Sequence, residues 1–232
     1  MAKLEVFTTG FPRCGNTWLD RILSDLLSAP LQTKPGEVIE HFGVKRDGNF
    51  IVRKTHWYSS QYSGEGYAGK KSKMIWIQRD PRDMAVSVMF YRKVFPDLMG
   101  VLKSICLGGR PHPEIPLVGY RGFVEGWVEF GKYDYMTRYE LLHSNPIEEM
   151  FEMYQVITGK DCTFDWAKKV NNRQVFAKHA PSYEHSMRKG RVGDYKNHFK
   201  QEHGKFMSDT VGDIMISQGY VDDLDWWKEL PK

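Results

Sequence analysis

Cysteine is scarce in this chain. Cys14, Cys106 and Cys162 are the only three among 232 residues. They are far apart, odd in number and in no metal-ligand spacing, so neither a disulfide framework nor a thiolate metal site is expected, and a reducing, cytoplasmic setting is. There is no HExxH segment, no paired CxxC and no acidic cluster. His179, His185, His198 and His203 lack ligand spacing, and no metal is expected. No apolar run approaches the ~20 residues needed to cross a bilayer, and the opening MAKLEVFTTG is too short and too polar for a secretion signal. A net charge of +4 is too small for a nucleic-acid coat, although it suits an anionic small molecule if the cations converge on one site. Internal repeats and low-complexity linkers are absent as well, so residues 1–232 are expected to form one domain.

What is present is the make-up of a folded α/β protein, 41% hydrophobic and 14% aromatic. Leu4–Thr9 and Tyr135–Tyr139 read as strands, and Phe50–Arg53 and Lys73–Gln78 are short apolar runs of the kind buried in a parallel sheet. Between them lie helical patterns. One runs from Asn16 to Ser28, and another begins at Asp80-Pro81 and continues to about Lys93. Others cover Tyr120–Tyr133, Pro146–Thr158, Asp165–Asn171 and the stretch between Gln201 and Gln218. Ala29–Gly48, Gly108–Gly119 and Ala180–Phe199 read as loops. This alternation predicts a P-loop-type, doubly wound parallel sheet flanked by helices.

The first strand leads into TTGFPRCGNTWL, Thr8 to Leu19. Gly10 and Gly15 have the spacing of a phosphate-binding loop, and Thr17 stands where its Ser/Thr belongs. Asn16 replaces the lysine, and the cation nearest the loop is Arg13 inside it. Backbone N–H groups of such a turn, together with a helix N-terminus, still bind phosphate oxygens. The point charge on the β- and γ-phosphates of a nucleoside triphosphate is missing. Taken alone, the stretch reads first as a plain glycine turn between a strand and a helix.

Three further stretches accompany it: VRKTHW (Val52–Trp57), IWIQRDPRDMAVSVMFY (Ile75–Tyr91) and MRKGRVGDYKNHF (Met187–Phe199). With FPRCGNTWL and in this order, they resemble the motifs of the P-loop sulfotransferases that use 3′-phosphoadenosine 5′-phosphosulfate (PAPS), over residues from about 4 to 206. The family forms are P-K-S-G-T-T-W, K-T-H, R-[ND]-x-x-D-x-x-V-S and R-K-G-x-x-G-D-W-K-N-x-F. PAPS has no γ-phosphate for a Walker lysine to hold; its charge develops on the oxygen leaving the sulfur, where a cation at the loop tip can act.

The resemblance implies a set of roles. Arg13 takes the place of the loop lysine, as an electrostatic clamp that stays charged at any working pH. His56 is the general base for the acceptor hydroxyl, since an imidazole titrates at roughly 6.5. Lys54, two residues earlier on the strand and on the same side, is a second stabiliser of the transferring group. Cys14, Gly15, Asn16 and Thr17 hold the 5′-phosphosulfate. Arg79, Ser87, Arg188, Lys189 and Gly190 hold the 3′-phosphate, with Ser87 also touching the loop cation. Trp18, Tyr139 and Phe176 are candidates for the adenine, although Trp18 also fits a core position. Asp80, Asp83, Asp194 and Lys196 read as structural.

The implied partners are PAPS (product PAP) and a small-molecule acceptor bearing a hydroxyl or amine, with no nucleic acid and no membrane. Phe42, Trp57, Tyr58, Phe90, Tyr91, Phe95 and Phe123 could line an acceptor pocket or simply pack the core. The family's dimer motif, K-x-x-x-T-V-x-x-x-E, is not kept after Lys196, so the oligomeric state stays open. Two other readings remain: a P-loop nucleotide kinase using ATP and magnesium, and a non-catalytic nucleotide-binding protein on the same scaffold.

Overall fold

A computed structural model describes residues 3–29, 31–32, 49–56, 59–63, 65, 71–91, 95–108, 118–174 and 190–232. Five strands, β1 (Leu4–Thr9), β2 (Leu31–Gln32), β3 (Phe50–Lys54), β4 (Lys73–Gln78) and β5 (Tyr135–Arg138), form one parallel sheet in the order β2-β3-β1-β4-β5. The helices are α1 (Asn16–Leu26), α2 (Pro81–Phe90), α3 (Leu98–Leu107), α4 (Gly119–Phe130), α5 (Tyr139–Ser144), α6 (Pro146–Thr158), α7 (Phe164–Gln174) and α8 (Gln201–Ser217). The expected fold class is therefore the observed one.

The register decides which side chains meet. Thr8 pairs with Lys54 on β3 and with Ile75 on β4, so these three residues share one face of the sheet. That is the face covered by α1, because the Thr8 hydroxyl reaches Asp20 there. Phe7 and Trp76 lie on the opposite face, against Tyr62 and against Trp127 of α4. Helix α1 packs on α7, and α7 on α6, while α3 packs on α2, α4 and α8. From central β1 the chain crosses first toward β3 and later toward β4. The C-terminal ends of these three strands thus meet at a topological switch point, the place where open α/β sheets bind ligands.

Several element boundaries differ from expectation. Tyr139 opens a helix instead of closing the strand, and α2 stops at Phe90. Helix α3 was not expected; its run LMGVLKSICL is too uniformly apolar to show a helical stripe, and Asp97 caps it by accepting from Gly100 N at 2.7 Å. Helix α1 also buries its polar side. Asp20, Arg21, Ser24 and Asp25 are inaccessible, with Asp25 accepting from Arg173 and Gln174 of α7.

Candidate active site

The glycine loop closes tightly between β1 and α1. A Cβ on Gly10 would lie 2.7 Å from the Ile77 backbone oxygen, and Gly15 has φ 102° with the Tyr139 ring 2.6 Å from where its Cβ would be. Glycine is required at both positions. Asn16, which replaces the Walker lysine, donates from Nδ2 to the backbone oxygens of Phe11 (3.2 Å) and Gly10 (3.4 Å), so it braces the loop from within. Cys14 points its thiol into the core, 3.1 Å from Met84 Sδ, and burial pushes that thiol far above its usual range. Any nucleotide contact from Cys14 would therefore come from its backbone.

Arg13 lies at the loop tip with φ 74°, a left-handed conformation that is costly for a residue with a side chain. Its Nε donates to Ser87 Oγ at 3.2 Å, and its guanidinium lies 4.2 Å over the Tyr91 ring. Arginine 79, just before α2, joins the other pieces of the site. One nitrogen donates to the backbone oxygen of Arg13 and another to that of Arg191, both at 3.2 Å, and its guanidinium lies 4.0 Å over Tyr139. The segment after Gly190 is anchored to the same helix, because Asp83 accepts from the backbone N–H groups of Gly193 (2.7 Å) and Tyr195 (2.9 Å). Asp80 caps α2 by accepting from Arg82 N at 2.9 Å. Asp194 accepts from Asn197 Nδ2 at 3.1 Å.

On the α1 side, Lys54 Nζ donates to Thr17 Oγ1 at 2.7 Å. His56 is exposed, and its Nδ1 is 3.0 Å from the Gly10 carbonyl. A carbonyl only accepts, so Nδ1 carries the proton and Nε2 is the basic nitrogen. Behind Lys54, the fully buried Asp20 has its carboxyl lifted to about 6 by desolvation, with the Lys54 charge and the Thr8 hydroxyl pulling it back down. Neither periodicity nor motif singled out Asp20.

Trp18 is buried, with its indole N–H given to Gln174 O at 2.8 Å, and it packs edge-on against Tyr139 at 5.5 Å. Tyr139 is equally buried. His143 completes the cluster, 4.7 Å from each ring. Desolvation there, then the Arg79 charge, pushes its imidazole down to about 4, so it is neutral at physiological pH. Phe176, Arg188 and Lys189 lie outside the described residues, as do Phe42, Trp57 and Tyr58. Arg13, Lys54, His56, Arg79, Ser87 and Gly190 are thus tied to one loop region by the contacts above or by adjacency to Arg191. Among the described residues no cluster of metal-ligating side chains occurs, and no helix is long and apolar enough to cross a membrane.

Comparison with known proteins adds three findings. The family model described as the sulfotransferase domain matches residues 49–218. The chain is 22% identical to sulfotransferase 6B1 of Mus musculus over 95% of its own length and 79% of that protein's, and 24% identical to sulfotransferase 2B1 of Homo sapiens over 84% and 61%. Among solved structures it superposes on mouse sulfotransferase SULT7A1 complexed with PAP at a TM-score of 0.71, with 18% identity, covering 99% of this chain and 89% of that one. Retinol dehydratase in complex with androsterone and PAP gives 0.70 with 15% identity, covering 93% and 81%.

Proposed function

The chain belongs to the sulfotransferase domain family, and we propose that it transfers the sulfuryl group of PAPS to a hydroxyl or amine of a small-molecule acceptor, in line and with His56 as general base. The observation that carries this reading is the convergence of Arg13, Lys54, His56 and Arg79 on one glycine loop. These residues fit a doubly anionic nucleotide. The turn at Gly10 and Gly15 has no room for a Cβ, and Arg13, Lys54 and Arg79 bring basic side chains to it. The solved PAP complexes among its structural neighbours support the same donor.

PAPS supplies an activated sulfuryl group on a phosphate leaving group. The rest of the chemistry falls to the chain. His56 presents Nε2 to the acceptor and takes its proton, and the Gly10 carbonyl stabilises the imidazolium that results. Arg13 and Lys54 hold positive charge where the leaving oxygen and the transferring group gain negative charge. Arg79, Ser87 and the Arg188-Lys189-Gly190 segment bind the 3′-phosphate, and Arg79 couples that end to the loop tip through the Arg13 carbonyl. His143, Trp18 and Tyr139 form the aromatic ground beside it, with Phe176 as a further contact for the base. The acceptor is a small molecule; the neighbouring retinol dehydratase is solved in complexes with androsterone and with retinol.

The test is incubation of the purified chain with sulfur-labelled PAPS and a panel of phenols, aliphatic alcohols, sterols and amines. Label is expected to move to at least one acceptor class in a reaction abolished by Arg13→Ala. No transfer to any of them, or transfer that survives Arg13→Ala at full rate, would contradict the proposal.

A further inference from the structure

Asp20 has no part in the mechanism just described, yet this acidic side chain is buried between α1 and β1, where it is held to Thr8. It is fully inaccessible, and only Oδ1 is engaged, accepting from the Thr8 hydroxyl. Oδ2 has no hydrogen-bond partner among the described residues. A carboxylate in such a place is tolerated only if nearby positive charge compensates it.

Two cations act on it, Lys54 from β3 and Arg21 beside it on α1, and Lys54 has the larger influence. Of the other charged groups on β1, β3 and α1, Arg53 pairs with Glu5, and Asp25 with Arg173. Thr17 and Asp20 are three residues apart on α1 and therefore share a face. The Lys54 ammonium rests on the Thr17 hydroxyl at 2.7 Å, with the carboxylate acting through space from behind.

We propose that Asp20 is the buried counter-charge of Lys54, a positioning residue that draws the ammonium onto Thr17 and takes up a proton from solvent when Lys54 turns to the 5′ anion of a bound nucleotide. This rests on the donor reading above. Once Lys54 is engaged by phosphate or sulfate, its field at Asp20 is offset by the new anion. The ionised carboxylate then loses its larger compensation, and the neutral acid becomes the favoured form. Nucleotide binding and protonation of Asp20 are linked, and each strengthens the other.

The experiment is titration calorimetry with PAP at pH 6.5 in two buffers of different ionisation enthalpy, which counts protons taken up on binding. The wild-type chain is expected to take up about half a proton more than Asp20→Asn, the amount for a group whose midpoint moves about one pH unit across 6.5. Protons belonging to the nucleotide itself cancel in that difference. Lys54→Met keeps Asp20 but removes the partner, and its uptake should match that of Asp20→Asn; it serves alone if the asparagine variant does not fold. Equal uptake by wild type and either variant overturns the inference while leaving the donor reading intact. No PAP binding by the wild-type chain overturns both.

Discussion

The guanidinium of Arg79 donates to the backbone oxygen of Arg13 at 3.2 Å. The residue proposed to hold the 3′-phosphate therefore also fixes the loop tip that carries the proposed Arg13 clamp. Arg79→Lys keeps the charge but loses the fork that spans Arg13 and Arg191. PAP affinity is expected to fall about 10- to 100-fold, the value of one or two charge-assisted hydrogen bonds. Turnover at saturating donor should fall as well, because the loop tip loosens. Calorimetry and initial rates check the two effects separately; a change confined to affinity would break the proposed coupling.

His56→Ala removes the proton acceptor without touching the cations. Sulfuryl transfer should slow by about 10²- to 10⁴-fold, with PAP binding unchanged. Asn at the same position retains a hydrogen bond to Gly10 but no base, and should be as slow as Ala. Full activity in either variant would assign the base elsewhere.

Asp20 makes a stability prediction of definite sign. Its folded-state carboxyl is raised from 3.8 to about 6, so between those values the folded chain binds more protons than the unfolded one. Stability from this group is fully present below about pH 4 and is lost as pH rises toward 6 and beyond. Asp20→Asn carries no such penalty. Relative to wild type it should gain up to about 3 kcal/mol at pH 7, two pH units' worth, and little at pH 4. Denaturant midpoints at the two pH values measure this. A variant destabilised at pH 7 would mean that the ionised carboxylate supports the fold.

Gly15→Ala tests the loop backbone. The position has φ 102°, and the new methyl would meet the Tyr139 ring at 2.6 Å. The cost is expected to be about 1–3 kcal/mol of stability, accompanied by loss of PAP binding. Normal binding in a folded variant would show that the loop can take another shape.

Much of this was legible in the sequence, for physical reasons that can be named. Leu4–Thr9 reads as a β-like run and Lys73–Gln78 as a short apolar one, and both are buried on both faces; Asp80-Pro81 announces α2 because cap and proline act locally. Arg13, Lys54 and His56 were found because FPRCGNTWL and VRKTHW resemble the family's motifs; strand spacing added only that Lys54 and His56 share one side. What remained hidden depends on partners distant in sequence. Asp20 was not singled out, since α1's polar side gave no sign that it would be buried. The bond from Trp18 to Gln174 spans 156 residues and could not be read from a helix pattern. His143 acquires its depressed titration because α5 buries it beside Trp18 and Tyr139 and within reach of the Arg79 charge.

The central claim is that these cations form a site for a nucleotide phosphorylated at both the 3′ and 5′ positions. The most direct test is a side-by-side calorimetric titration of the intact chain with PAP and with AMP, which lacks only the 3′-phosphate. PAP is expected to bind about 100-fold or more tighter, consistent with two charge-assisted contacts to that group. Equal affinity for the two, or no binding of PAP at millimolar-scale concentration, would contradict the account.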